Sequence, residues 1–289
     1  MDMDQYRPTL FSIAYKMLGS ISDAEDMVQD TYVSWLQADQ SHINNPKFYL
    51  IRIVSNKCIA HLNKVKSERE AQLRLWLPEA DLSDTHNSGD PDRLTIGFMY
   101  LLEKLTPLER GIVILKDAFN LKHPEIAAIF DISYENCRQH LSRAKKKLIA
   151  EKPPYQVNTF DHKEILVEFL NACESKSTDK LIALLREDVV VYSEGGGALN
   201  GGLKPIVGKE YISRLFSHGM DRWDDFEKVE IVSINGVSGA AFYKFANDLL
   251  PHLLLDIEVD EQKKIGRLFF MANPTKIVNS YGNNFINKL

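Results

Sequence analysis

Residues 105–148 read LTPLERGIVILKDAFNLKHPEIAAIFDISYENCRQHLSRAKKKL, and the rest of the chain is organised around them. At helical period this stretch carries three apolar stripes. The first is Leu108, Ile112, Leu115 and Phe119, the second Ile126, Ala127, Ile129 and Phe130, and the third Cys137, Leu141, Ala144 and Leu148. Pro124 suits the first turn of the middle helix, where its missing N–H costs nothing. Asp131-Ile132-Ser133 makes a tight turn, with Ser133 placed to cap the last helix. A short helix, a three-residue turn and a second helix is helix-turn-helix geometry. Away from its apolar stripe the last helix presents Glu135, Arg138, Gln139, Ser142 and Lys146, flanked by Arg143, Lys145 and Lys147. Together with Ser133, Tyr134 and Asn136 at its start, these groups suit base edges in front and phosphates behind. The bland alternative is a three-helix core with a solvated basic face, because such patterns also arise by chance.

Bulk properties bound the reading. A chain of 289 residues allows roughly two domains, and 44% hydrophobic residues with 10% aromatics supply real cores. The net charge of −5 argues against nucleic-acid binding by the whole surface. Residues 1–152 hold 20 Lys+Arg against 21 Asp+Glu, and residues 153–289 hold 15 against 19. Contact with DNA must therefore come from local patches such as 143–147. The three cysteines, Cys58, Cys137 and Cys173, are odd in number and fall on or near apolar stripes, so they read as buried thiols of a reducing compartment. No apolar run reaches the roughly 18 residues that span a bilayer, and the start MDMDQYRP lacks the pattern of a signal peptide. A cytoplasmic location without membrane contact is expected.

Upstream, residues 4–19 form a helix with Leu10, Ile13, Ala14, Met17 and Leu18 inward and Gly19 as its C-cap. Ser22-Asp23-Ala24-Glu25 reads as a capping box opening a second helix to about Gln37. Its first turns expose Asp23, Glu25, Asp26, Gln29 and Asp30, more polar groups than a helix N-terminus requires, so the face is either solvated or a protein-docking surface. A polar loop, 39–46, precedes a long helix from Pro46 to about Arg69. Its stripe is Ile51, Val54, Cys58, Leu62 and Val65, and its other faces carry Arg52, Asn56, Lys57, Asn63, Lys64 and Lys66. That side either tracks a phosphate backbone or is solvated.

These motifs resemble those of a known family. SDAEDMVQDTYVSW (Ser22 to Trp35) is similar to the region 2 signature of extracytoplasmic-function (ECF) sigma factors, and LTPLERGIVILKDAF…PEIAAIF…SYENCRQHLSRAKKKL is similar to their region 4. The resemblance implies two all-α N-terminal domains, the region 2 bundle at 1–70 and the region 4 helix-turn-helix at 93–152. It implies that Asp23, Glu25, Asp26, Gln29 and Asp30 face the β′ coiled coil of core RNA polymerase. It also implies that Asn44, Asn45, Lys47, Arg52, Asn56 and Lys57 lie at the minus-ten promoter element. Region 4 would put its last helix in the major groove at the minus-thirty-five element and touch the β flap. Two departures stand out: the usually Arg-rich end of the long helix reads HLNKVK, and Pro124 replaces the usual Ser or Thr. Fewer arginines imply retuned phosphate contacts.

Residues 71–92 form a linker that runs from amphipathic to Ser/Asp/Gly/Pro-rich. Within it, Leu75-Trp76-Leu77-Pro78-Glu79 is too apolar for a spacer and wants a surface, its own domain's or a partner's. After Pro153-Pro154 the pattern changes, and 153–289 forms a further domain. Helices are expected over 161–174, 177–185 and 209–218, and strands over 187–193, 228–234, 237–246, 249–259 and 263–272. Turns fall at Asn235-Gly236 and Asp260-Glu261. The order describes an α+β domain, one curved sheet folded over helices, and is similar to the SnoaL-like, nuclear-transport-factor-2 (NTF2)-like cone.

The SigJ-like branch of the same sigma family carries such a domain. Its linker WLPE stands intact as Trp76, Leu77, Pro78 and Glu79. Its DGGGK loop appears altered as Glu194, Gly195, Gly196, Gly197 and Ala198, and its NPDKL motif as Asn273, Pro274, Thr275, Lys276 and Ile277. The three glycines permit close backbone approach, and a contact surface for the linker is the preferred reading over a phosphate loop. The resemblance implies regulation in cis, with no separate anti-sigma factor required. His162, His218, His252, Asp256 and Glu258 have no spacing that demands acid–base catalysis, so no enzymatic role is expected. Nor is a cofactor or metal, since no His/Cys cluster has ligand spacing. The rival reading is a one-component helix-turn-helix regulator with a ligand-sensing C-terminal domain, which leaves the acidic second helix without a purpose.

Overall fold

The structure is a computed structural model and describes residues 4–71, 75–82, 94–150, 159–194 and 204–281. It divides into two compact units. One holds Met1–Gln72, Ser88–Leu94 and Phe98–Pro153, and the other holds Leu73–Asn87, Thr95–Gly97 and Pro154–Leu289.

The first unit is helical: α1 (Arg7–Leu18), α2 (Ile21–Gln37), α3 (Pro46–Ala71), α4 (Ile96–Leu102, whose first two residues belong to the second unit), α5 (Pro107–Val113), α6 (His123–Phe130) and α7 (Tyr134–Ala150). Gly19 ends α1 in the left-handed region, its N–H donating to Tyr15 O at 2.7 Å. Ser20, in extended conformation, then caps α2 by accepting from Asp23 N at 3.3 Å. This corrects the expected capping box. The chain re-enters helix directly after Gly19, so Ser22 lies within the first turn. Thr106 and Glu109 make a true capping box for α5. That helix runs on as a π-helical turn over Ile114–Ala118. One apolar cluster joins α1–α3 to α5–α7, from Leu10 and Val54 to Ile129 and Leu148. The segments resembling regions 2 and 4 thus share a single core.

The second unit is α+β, as anticipated: α8 (Thr159–Glu174), α9 (Thr178–Leu184), β1 (Leu185–Glu194), β2 (Ile206–Val207), α10 (Lys209–Gly219), β3 (Lys228–Ile234), β4 (Val237–Tyr243), β5 (Leu253–Val259), β6 (Ile265–Met271) and α11 (Pro274–Tyr281). The sheet order is β2-β1-β6-β5-β4-β3, with β1 parallel to β6 and the other pairs antiparallel. Asn235 and Gly236 form the expected β3–β4 turn with φ of 50° and 80°, the left-handed pair a two-residue hairpin demands. Two elements escaped sequence reading. β2 is too short to show a period, and α11 sits behind Asn273-Pro274. The strands β4 and β5 are also shorter than expected, because Lys244–Pro251 turns on bonds such as Phe245 N to Asp248 Oδ2 at 2.8 Å.

One face of this sheet carries Leu255, Ile257, Leu268 and Phe270 and packs on the helices. Phe169, Phe216, Trp223 and Phe242 fill the space between, with ring centroids 5.2–6.3 Å apart. The other face carries Leu254, Asp256 and Glu258 of β5 opposite Met271, Phe269 and Arg267 of β6.

Candidate functional site

On α7 the apolar stripe is buried as expected, and Glu135, Asn136, Arg138, Gln139, Ser142, Arg143, Lys145 and Lys146 are all exposed. Ser133 caps the helix, its Oγ accepting from Asn136 N at 3.1 Å. Asp131 in the left-handed conformation makes the turn from α6, a conformation its short polar side chain tolerates. Tyr134 is exposed, set edge-on to His123 with centroids 6.1 Å apart, and the Arg138 guanidinium lies 5.8 Å over its ring. The cations are not equivalent. Lys145 pairs with Asp117 at 3.1 Å and Lys147 with the buried Glu109 at 2.7 Å. Burial alone would raise Glu109, but its bonds to Lys147 and Thr106 prevail and hold the carboxyl below its ordinary value.

The acidic face of α2 is also divided. Asp23 lies 3.5 Å from His61 Nε2 of α3, and Glu25 pairs with Arg7 of α1. Asp26, Gln29 and Asp30 are exposed, with Asp30 3.8 Å from Lys57. In line with them at helical spacing stand Val33, 52% exposed, and Leu36, 76% exposed. The sequence reading passed over these two, although an apolar pair on the polar side of an amphipathic helix is a signal.

Asn44, Lys47 and Arg52 are exposed. Asn45 caps α3 by accepting from Phe48 N at 3.1 Å. Asn56 donates to Ile129 O of α6 at 2.8 Å. Arg110, 2% exposed, pairs with Glu103 and bonds Lys16 O of α1 at 3.4 Å. Neither Glu109 nor Arg110 was singled out from sequence, because each reads as a surface charge between apolar positions.

In the second unit the WLPE segment is gripped. Lys276 donates to Glu194 Oε1 at 2.7 Å and Oε2 at 2.9 Å, lies 4.3 Å from the Trp76 ring centroid, and also donates to Leu77 O. Leu77 N donates to Glu194 Oε2 at 3.3 Å. Glu79 accepts from Asn279 at 2.9 Å. Asp81 and Asn235 exchange two bonds, Asp81 N to Asn235 Oδ1 and Asn235 N to Asp81 O, both 2.8 Å. Pro78 is buried within this segment, and Asn273 opens α11 by accepting from Thr275 N at 3.1 Å. Gly195, Gly196 and Gly197 lie outside the described residues. Sequence reading missed Asn235 and Asn279, which look like ordinary turn and helix-surface residues.

Of the residues weighed for catalysis, His252 lies 3.5 Å from Asp248, and the side chain of His218 lies outside the described residues. His162 is buried and bonds Ile257 O at 2.7 Å through Nε2, tying α8 to β5. Asp256 and Glu258 sit on the sheet face opposite the one that packs on α8 and α10. Among the described residues no group of His, Cys, Asp and Glu is arranged to hold a metal ion, and no helix is long and apolar enough to cross a membrane.

The family description Sigma-70 region 2 matches residues 3–68, and Sigma-70, region 4 matches residues 97–148. The ECF RNA polymerase sigma factor SigJ of Mycobacterium tuberculosis is 26% identical over 250 residues, covering 83% of this chain and 79% of its own. The chain is an extracytoplasmic-function sigma factor. The sigma factor SigG of the same organism is 24% identical over 292 residues, covering 89% of this sigma factor and 77% of its own length. The crystal structure of M. tuberculosis SigJ aligns with 96% of this chain and 97% of that one, at 24% identity and a TM-score of 0.76, and so has the same fold.

Proposed function

We propose that this sigma factor docks on core RNA polymerase through α2, reads the minus-ten element with α3 and the loop before it, and reads the minus-thirty-five element with α7. A further part of the proposal is that its second unit regulates it in cis, through the grip on the linker. The observation that carries the reading is the pairing, in one unit, of two exposed faces with opposite chemistry: acidic and apolar on α2, polar and cationic on α7.

On α2 the docking residues are Asp26, Gln29 and Asp30, with Val33 and Leu36 as the apolar anchor and Asp23 and Glu25 behind them. A contact with an apolar centre and charged rim fits a protein partner, and a coiled coil of the polymerase β′ subunit supplies such a surface. On α7, Arg138 and Gln139 have the donors and acceptors that distinguish bases in the major groove. Arg143 and Lys146 supply phosphate contacts. Asn44, Asn45, Lys47, Arg52, Asn56 and Lys57 form the minus-ten surface.

The shared core of the first unit implies a resting state. By their names the two promoter elements are about 25 base pairs apart, roughly 85 Å along B-DNA. A compact unit of this size has a radius of gyration of about 14 Å. One closed body cannot reach both, so the α5–α7 segment must leave α1–α3 when the promoter is engaged. Asn56 and Arg110 hold the closed arrangement, and the gripped linker fixes the path between the segments. Regulation rather than catalysis by the second unit accords with a sheet-and-helix interior filled by aromatic rings.

Copurification with core polymerase tests the docking face. The native chain and Arg138→Ala should be retained alike, and the double variant Val33→Asp/Leu36→Asp should be lost. Retention of the double variant would sink this reading.

A further inference from the structure

The linker lies on the sheet face that carries Asp256, and that residue has a property none of its neighbours shares. It is fully buried, and neither carboxyl oxygen has a partner at regular hydrogen-bond geometry, so that only a weak pull from the Ile257 backbone N–H opposes the effect of burial. Its same-face neighbours are Glu258 two residues on and Phe269 directly across on β6. The segment Thr95–Gly97, which follows the linker and belongs to the same unit, sits on both. Thr95 Oγ1 is 3.4 Å from Glu258 Oε1, and a side chain at Gly97 would fall 1.8 Å from that oxygen and 3.0 Å from the Phe269 ring. The outgoing end is anchored at Glu194 on β1 and at Asn235 in the β3–β4 turn, on either side of β5. Seating the linker therefore closes a carboxyl group away from water.

Charges around it give no relief. Glu258 raises Asp256 further, and Arg267 is committed to Glu258 at 2.8 Å. Among the described residues the linker brings the acids Glu79 and Asp81. The cation Lys276 stands over Glu194 and Trp76 at the far end. Burial first, and Glu258 second, push the Asp256 carboxyl well above the usual carboxylate range.

We propose that seating of the linker on the sheet takes up a proton on Asp256, so that the grip on the linker loosens as pH rises. This rests on the regulatory reading above and adds its chemical trigger. The balance is simple: the released chain, its carboxyl in water, gives up one proton that the seated chain holds. Above the ordinary carboxylate range the ratio of seated to released linker falls about tenfold per pH unit, until the seated form itself ionises. Glu258, also raised by burial, adds to the effect with the same sign, although its bond to Arg267 opposes the shift.

The test is amide hydrogen exchange of residues 75–82 in the full chain between pH 6 and 9, corrected for the intrinsic rate. In the native chain protection should fall by about tenfold per pH unit, and in Asp256→Asn, which keeps shape without a titrating proton, the slope should flatten. Equal slopes in the two proteins would overturn the proposal. Should Asp256→Asn not fold, carbon-13 NMR of the native Asp256 carboxyl decides: titration in the ordinary aspartate range overturns it, and titration above that range supports it. Neither readout uses DNA or polymerase, so failure here and failure of the promoter-binding reading are separate results.

Discussion

The Asn56 side-chain amide donates to the Ile129 carbonyl at 2.8 Å, joining the long helix of region 2 to the last turn of the first helix of the helix-turn-helix. That carbonyl is one of those a helix C-terminus leaves without an internal partner. The same amide lies on the side of α3 proposed for the minus-ten element, so it cannot serve both at once. Asn56→Ala should remove about 1 kcal/mol from the closed arrangement. Amides of His123–Phe130 should then exchange roughly fivefold faster in the isolated protein. Unchanged exchange there would remove Asn56 from any latch.

Arg138 and Lys146 should behave differently on DNA. Replacing Arg138 by Ala should cost about 1–3 kcal/mol on the preferred minus-thirty-five sequence and relax discrimination at one position. Lys146→Ala should weaken all sequences alike and lower the salt slope by about 1. Competition binding across single-base variants of the site at several salt concentrations separates the two outcomes. Lys147→Ala should act instead on stability, because its partner Glu109 is buried.

Lys276 holds the linker through the Leu77 carbonyl and the Trp76 ring, and it pairs with Glu194, which itself accepts from Leu77 N. Lys276→Met leaves the Glu194 carboxylate buried without its cation, at a cost of about 3 kcal/mol to the second unit. Thermal unfolding should register the loss. Promoter activity should change while polymerase binding stays as in the native chain. Unaltered activity would mean that the grip on WLPE has no regulatory part.

Two buried groups set opposite limits of pH. His162 is held below its ordinary value of 6.5 by burial, against its bond to Ile257 O. A depressed pKa of this kind contributes stability that is whole above 6.5 and is lost as pH falls through the lower folded value. The buried Asp256 and Glu258, both raised, cost stability as pH climbs instead. The second unit should therefore unfold more readily below about pH 6, and His162→Gln should remove that acid limb from a melting series. A melting curve flat on the acid side in the native chain would contradict the assignment.

Much of this architecture was legible in the sequence because it rests on local pattern. The stripes of the helix-turn-helix, the Ser133 cap and the Asn235-Gly236 turn each depend on residues a few positions apart. The exposed face of α7 followed from its buried one. What stayed hidden depends on partners far along the chain. Ser20 took the capping role from Ser22 because of where α1 ends. Arg110 is buried only because Glu103 and Lys16 meet it. Asn56 reads as a promoter contact until α6 is folded against it, and the grip on WLPE needs Lys276, some 200 residues on. Val33 and Leu36 were visible as letters but invisible as a surface, since only the packed bundle shows which side of α2 stays open.

Run-off transcription with purified core RNA polymerase tests the central claim most directly, using a template that carries the region upstream of the protein's own gene. The account predicts discrete transcripts that depend on the added chain, and none from core polymerase alone or with the Val33→Asp/Leu36→Asp variant. No transcript from either the full chain or a chain ending after α7 would contradict it.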